Sequence, residues 1–404
     1  MKTLDRREFL QQAGAAALGL TGAGLGASSL AAAAPAPPAE GPRIRRYKTL
    51  GKTGLRISDI GAGGLSDPKV VRFCFDRGVR SFDTDQMFGS EPVLGEGLKG
   101  VRDQVVLTTK YKAGPKAKRR KILRALERSL RSLRTDYVDI YLNHAVNDLA
   151  RAKNPEWYEA MEIAKRQGKV RFSGMSGHGG NLKECVSWVL EHQLVDVLLC
   201  SHNFGTDPAF YERFTKHFDL IANQAGLPPL LEKAHAQGVG VLVMKTLMGA
   251  KVNDLSRYSA DGASFPRAAF RWVLQNPNVD GLVISMKNLA LAEEYIACSG
   301  DPWLRQADLD VLDGYYAKHA NQYCRAGCDA CESACPLEVP IADVLRNRMY
   351  AESYGDRTMA RRGYAQLGAG ASPCLSCASP TCASACPHGL DVPGLTRHAA
   401  RLLG

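Results

Sequence analysis

The chain has 404 residues, 45% of them hydrophobic and 23% charged, with a formal net charge of +11. That composition fits a folded globular protein long enough for two domains and excludes an intrinsically disordered chain. The positive charge does not indicate nucleic-acid binding, because residues 110–134 alone hold 11 Lys or Arg against the single acid Glu127. Within that window Ile122, Leu123, Leu126, Leu130 and Leu133 recur at helical spacing. Most of the basic residues therefore occupy the solvent face of one amphipathic helix. That face reads either as a plain solvated surface or as a docking patch for an acidic redox partner, felt mainly in association rate.

In chain order, residues 1–34 stand apart from any fold. Arg6 and Arg7 precede Phe9 and Leu10, and an uncharged Ala/Gly-rich stretch follows as far as Glu40. This resembles a twin-arginine export signal, with a small-residue cleavage site in 31–34 and a Pro/Ala linker over 35–42. The expectation is a periplasmic protein that meets the membrane only through this leader. The other reading is an uncleaved membrane anchor, although a run of mostly Ala and Gly is weakly hydrophobic for a span.

Residues 43–300 alternate short β-branched runs with helical patterns, the rhythm of βαβ units around a parallel sheet. Strands are expected near 57–61, 81–84, 105–111, 138–142, 170–175, 195–200, 240–244 and 281–284, which predicts a (β/α)8 TIM barrel. Gly61-Ala62-Gly63-Gly64 is a poor dinucleotide fingerprint, because Ser66 stands where its last glycine belongs. Barrel chemistry sits at the C-terminal ends of strands. Asp83, Lys110, His144 and Ser176 fall at four successive ends, spaced 27, 34 and 32 residues apart. Charged side chains that close to a barrel interior are expected to be paired or functional.

These motifs resemble the aldo-keto reductases. Residues 47–58 look like that family's N-terminal hairpin. Phe82-Asp83-Thr84 with Gly89-Ser90-Glu91 matches its catalytic Asp and Tyr motif, Thr109-Lys110 its Lys strand, and residues 136–144 its His strand. The resemblance implies carbonyl or alcohol redox chemistry on a small-molecule substrate, with catalytic Asp83, Lys110 and His144 and a tightly held NADP(H). It implies cofactor contacts at Ser176, Lys245, Ser285 and Lys287, and Met244-Lys245 resembles the subgroup that carries a ferredoxin-like extension. Phe88 stands where the family has its proton-donating Tyr, and phenylalanine has no proton to give. His144 is one candidate replacement, Asp85 and His178 are others, and loss of carbonyl reduction is the third reading.

Residues 301–404 form a separate expected domain, mainly helical. Eight of the 12 cysteines lie here, as Cys324, Cys328, Cys331 and Cys335-Pro336, then Cys374, Cys377, Cys382 and Cys386-Pro387. The two C-x3-C-P endings repeat 51 residues apart. Such spacing predicts two 4Fe–4S clusters, with the last Cys of each group ligating the other cluster. One set is then Cys324, Cys328, Cys331 and Cys386, and the other Cys374, Cys377, Cys382 and Cys335. Non-crossed ligation, zinc and disulfides are the rivals. Cys74, Cys185, Cys200 and Cys298 read as small buried hydrophobes. The whole predicts an exported iron–sulfur oxidoreductase, or else a barrel without hydride chemistry that serves as an electron-transfer or assembly subunit. A redox partner protein would dock on the basic or the cluster surface.

Overall fold

A computed structural model describes residues 41–178, 181–204, 226–247, 259, 262–319, 324, 330–352, 357–387 and 389–404. The expected leader, Cys328 and most of the linker lie outside the described residues.

Eight strands close into a parallel barrel in the cyclic order β10-β3-β4-β5-β6-β7-β8-β9. They are β3 (Ile60–Gly63), β4 (Ser81–Asp83), β5 (Val106–Tyr111), β6 (Val138–Asn143), β7 (Val170–Gly177), β8 (Val197–Ser201), β9 (Gly240–Met244) and β10 (Gly281–Ser285). The (β/α)8 expectation therefore holds, with one adjustment at the start. Residues 56–58 belong to β2 (Arg56–Ser58), which pairs antiparallel with β1 (Tyr47–Thr49), and the barrel strand begins only at Ile60. Asp59 makes the break: its carboxylate accepts from the Ser299 hydroxyl at 2.7 Å, the Gly300 N–H at 2.8 Å and the Ile60 N–H at 3.0 Å.

Strand alternation sorts the core into two layers. Val106, Ile140, Leu142, Val197, Leu199, Leu242 and Val283 point inward and pack with Leu50, Leu55 and Ile57, so the hairpin plugs the barrel with apolar side chains. Each such burial contributes about 1.5–3 kcal/mol. Leu107, Tyr141, Met175 and Val243 point outward beneath the helices. The basic helix α3 (Arg119–Leu133) buries Ile122, Leu126, Leu130 and Leu133 in that layer, as its spacing required.

The expected domain boundary at residue 300 falls before a helix that shares the barrel's outer core. In α10 (Gln306–His319), Val311, Leu312 and Tyr315 pack into that layer. Arg271 from the helix Phe265–Leu274 donates to both oxygens of Asp308, at 2.9 and 2.8 Å. Further on, α11 (Ile341–Glu352), α12 (Arg357–Ala365) and α14 (Val392–Leu403) surround a second core of Val344, Leu345, Tyr364, Ala399 and Leu403. The expected mainly helical C-terminal region is thus present. Among the described residues no helix is long and apolar enough to cross a membrane.

Candidate active site

Period-two alternation along β5 puts Val106, Thr108 and Lys110 on the inner face, and Tyr111 packs outward. Lys110 is buried, and its Nζ donates to Asp83 Oδ1 at 2.6 Å and to the Thr84 carbonyl at 2.7 Å. Asp83 ends the neighbouring strand β4. Burial pushes its carboxyl up, and the Lys110 ammonium pulls it back. The short contact between two buried groups is a charged, hydrogen-bonded pair.

His144 follows β6 directly, and its N–H donates to the Tyr111 carbonyl at 2.9 Å. The next residue, Ala145, is held at a φ of 51°, a left-handed conformation that costs a non-glycine residue about 1–2 kcal/mol. Arg151 supports that turn. This buried guanidinium donates to the carbonyls of His144 at 2.7 Å, Ala113 at 2.8 Å and Ala145. Sequence reasoning missed Arg151, since nothing in its polar neighbourhood distinguishes it from a surface residue.

The segment after Asp83 is tied down at several points. The Thr84 and Ser90 hydroxyls meet at 2.7 Å, and Gln86 Nε2 donates to Ser129 Oγ at 2.7 Å. Asp85 Oδ1 accepts the N–H groups of Met87 and Phe88. These bonds present Phe88 at the mouth, 59% exposed, with its ring edge-on to the His144 imidazole at 5.9 Å. Asp85 is fully buried and sits beside that imidazole, its Oδ2 3.5 Å from His144 Nδ1. Burial raises the Asp85 carboxyl to about 6. Burial, then the charges of Lys110 and its neighbours, lower His144 to about 2. Both shifts disfavour an ion pair between the two groups, and neither Asp85 Oδ2 nor His144 Nδ1 makes a hydrogen bond among the described residues.

Asp83, Lys110, His144, Lys245 and Ser285 line one cavity of about 130 Å³, together with Gly63, Gly64, Phe88, His178, Leu199, Met244 and Val283. Two expected cofactor residues fall outside its wall. Ser176 is wholly buried and accepts the Ala145 N–H at 3.2 Å, so it supports the His144 turn. Lys287 is exposed beyond the end of β10. Lys245 adopts a φ of 61°, and its carbonyl accepts from Asn203 at 3.1 Å. Glycine is required at position 64: φ there is 57°, and a Cβ would lie 2.6 Å from Ser285 Oγ.

The C-terminal cysteines form a second site. Thr381 Oγ1 donates to the Ala334 carbonyl, which joins the ends of the two cysteine groups. Cys335, Cys374, Cys377 and Cys382 are close enough to act on one another: burial and then the neighbouring sulfurs push the thiols of Cys374 and Cys382 up. The repeat is visible in the backbone. Glu338 and Gly389, 51 positions apart, both have positive φ, at 49° and 65°. The Glu338 N–H donates to the Cys335 carbonyl and the Gly389 N–H to that of Cys386, both at 3.2 Å. Among the described residues no three His, Cys, Asp or Glu converge on a single-ion site. Cys74, Cys185 and Cys200 are buried in the barrel, and burial pushes their thiols up to about 12.

A closed parallel barrel that brings a buried Lys–Asp pair and an imidazole together at its C-terminal mouth has the layout of a (β/α)8 enzyme. The aldo/keto reductase family profile matches residues 66–257. The methylglyoxal reductase YeaE of Escherichia coli is 38% identical over 258 residues, spanning 61% of this chain and 83% of that protein. The L-galactose dehydrogenase of Arabidopsis thaliana is 26% identical over 293 residues, 62% of this chain and 86% of that protein. Among solved structures, an aldo-keto reductase from Bacillus halodurans in its holo form superposes with a TM-score of 0.53 at 18% identity, covering 66% of this chain and 95% of that one. A putative aldo-keto reductase from Pseudomonas aeruginosa gives 0.51 at 24% identity, covering 65% and 98%. The chain belongs to the aldo/keto reductase family and is an oxidoreductase of that type.

Proposed function

We propose that this protein is an exported iron–sulfur oxidoreductase. It interconverts a small carbonyl compound and its alcohol at the barrel mouth and exchanges electrons through two 4Fe–4S clusters held by the C-terminal cysteines. One observation carries the reading: the buried Lys110–Asp83 pair stands beside the neutral His144 in a single cavity. Lys245 and Ser285 in the cavity wall, with Lys287 just beyond β10, would hold a nicotinamide dinucleotide, NADP(H), which would supply the hydride when bound. The Lys110 charge would favour a developing alkoxide, and His144 would orient the substrate oxygen. The names of the relatives, a methylglyoxal reductase and an L-galactose dehydrogenase, support a small carbonyl or alcohol as substrate.

For the clusters, the donor set fits. Cys335, Cys374, Cys377 and Cys382 lie near enough to influence one another and are all half-buried, the grouping that crossed ligation would use. The clusters would carry electrons singly to a partner protein docked on the cluster surface or on the basic face of α3. Arg6-Arg7 supports export by the twin-arginine route to the periplasm, with cleavage near residue 34 or retention as an anchor. In that compartment the nicotinamide must be tightly bound and exported with the protein.

A second reading is favoured by Phe88, which removes the family's usual proton donor. There the barrel only binds its small molecule, and the clusters do the electron work, as an electron-transfer or assembly subunit. Anaerobically purified protein distinguishes the two. Loss of visible cluster absorbance on adding NADPH supports the first reading. Clusters that bleach with dithionite and ignore NADPH support the second. Intact protein without cluster absorbance overturns both.

A further inference from the structure

Two buried polar atoms at the barrel mouth face each other without a hydrogen bond to any described residue: Asp85 Oδ2 and His144 Nδ1. They are 3.5 Å apart. The other Asp85 oxygen is committed to the backbone turn at Met87 and Phe88, so only Oδ2 is available for chemistry. With Nδ1 turned toward Asp85, Nε2 is the imidazole nitrogen left for the cavity that His144 lines. The Phe88 ring fixes the imidazole from its edge and contributes no proton.

We propose that Asp85 and His144 form a proton relay that supplies the acid which Phe88 cannot. Asp85 acts through His144, and His144 is the group that touches substrate. The proposal rests on the reading of the barrel as a carbonyl or alcohol site. Reduction adds a hydride to the carbonyl carbon, from a nicotinamide dinucleotide, and one proton to the oxygen. That proton leaves His144 Nε2 as the Asp85 Oδ2 proton crosses to Nδ1. The products are the alcohol, ionised Asp85 and an imidazole protonated at Nδ1. Solvent then protonates Nε2 through the cavity, and the Nδ1 proton returns to Asp85. Alcohol oxidation runs the same path backward.

The surroundings suit this division. Asp83 and Lys110 face Asp85, and Lys110, Lys112, His178 and Arg151 face His144. Burial first, and then the surrounding cations, disfavour imidazolium, so His144 passes a proton without storing one. Burial, opposed mainly by Lys110, leaves the Asp85 carboxyl titrating at about 6. Carbonyl reduction needs Asp85 protonated and falls as pH rises through about 6; oxidation needs it ionised and falls below that pH.

The test uses the full chain with its clusters, labelled with 15N-histidine, and methylglyoxal with NADPH as the assay. In the native protein the His144 ring nitrogens should shift with a midpoint near 6 while the ring stays neutral, and Asp85→Asn should abolish that inflection. The kcat of Asp85→Asn should fall by roughly 10²–10⁴-fold with KM little changed, and Asp85→Glu should restore part of it. An inflection that survives in Asp85→Asn, or a full rate in that variant, overturns the relay. If native protein shows no NADPH turnover, the carbonyl reading fails, and the relay as a catalytic device fails with it. The histidine spectrum still decides separately whether the two groups share a proton. A thermal melt checks that each variant is folded.

Discussion

Lys110 Nζ lies 2.6 Å from Asp83 Oδ1, and both side chains are buried at the ends of adjacent strands. Removing one partner strands the other's charge away from water. Lys110→Met should therefore destabilise the protein by about 3–5 kcal/mol. The double variant Lys110→Met with Asp83→Asn should recover much of that loss. Urea denaturation of the full double-mutant cycle checks this, and simple additivity of the two losses would contradict a coupled pair.

Arg151 holds the carbonyls of Ala113, His144 and Ala145 and so sustains the left-handed turn behind His144. Arg151→Ala leaves those oxygens without their donor, at about 1–3 kcal/mol for each buried group. The variant should melt at lower temperature and lose turnover. Arg151→Lys should recover less than half of either, because an ammonium cannot span three acceptors in fork geometry.

Asp85 and His144 give stability opposite pH slopes. Asp85 rises from 3.8 to about 6, so the folded state binds its proton more tightly than the unfolded chain. Its contribution is unfavourable, absent below about pH 4 and complete above about pH 6. Asp85→Asn should stabilise the fold by roughly 2–3 kcal/mol at pH 8, a gain that vanishes below about pH 4. His144 falls from 6.5 to about 2, so its contribution is present above pH 6.5 and is lost as pH falls from there. Urea midpoints measured at pH 4 and pH 8 on native protein, Asp85→Asn and His144→Asn check both signs.

Gly174 marks a close approach between strands. A Cβ there would lie 1.8 Å from the Val197 carbonyl oxygen, a backbone atom with no room to move aside. Gly174→Ala should prise β7 from β8 and cost more than the ~1–3 kcal/mol of ordinary overpacking. Gly114→Ala, with open space around it, should stay within about 0.5 kcal/mol of native. Comparing soluble yield and melting temperature of the two variants checks the contrast.

Crossed ligation makes a separable claim about the cysteines. Cys335→Ser should damage the same cluster as Cys377→Ser, although Cys335 belongs to the first sequence group. Each variant should retain about half the native iron, and their residual paramagnetic spectra should match. Spectra that instead pair Cys335→Ser with Cys331→Ser would establish non-crossed ligation.

The sequence by itself determined the barrel, because alternation of β-branched runs with amphipathic helices is a local property of the chain. It also placed Asp83, Lys110 and His144 at strand ends and paired the two C-x3-C-P groups. Further downstream, residue identity and backbone part company. Val339-Pro340 and Val392-Pro393 stand 53 positions apart, whereas the backbone keeps 51: the Ile341 N–H bonds the Val339 carbonyl as the Val392 N–H bonds that of Leu390, both at 2.8 Å. Hydrogen bonding, not residue identity, sets that register. Only the tertiary structure decided that Ser176 braces the His144 turn, that Arg151 clamps it, and that Asp85 Oδ2 meets His144 Nδ1. The first and last depend on where strands 30 or more residues apart bring their ends, the clamp is long-range only where Arg151 reaches Ala113, 38 residues away, and all three depend on how deeply each group is buried. Local pattern encodes neither distance across the barrel mouth nor the desolvation that sets the charge of Asp85 and His144.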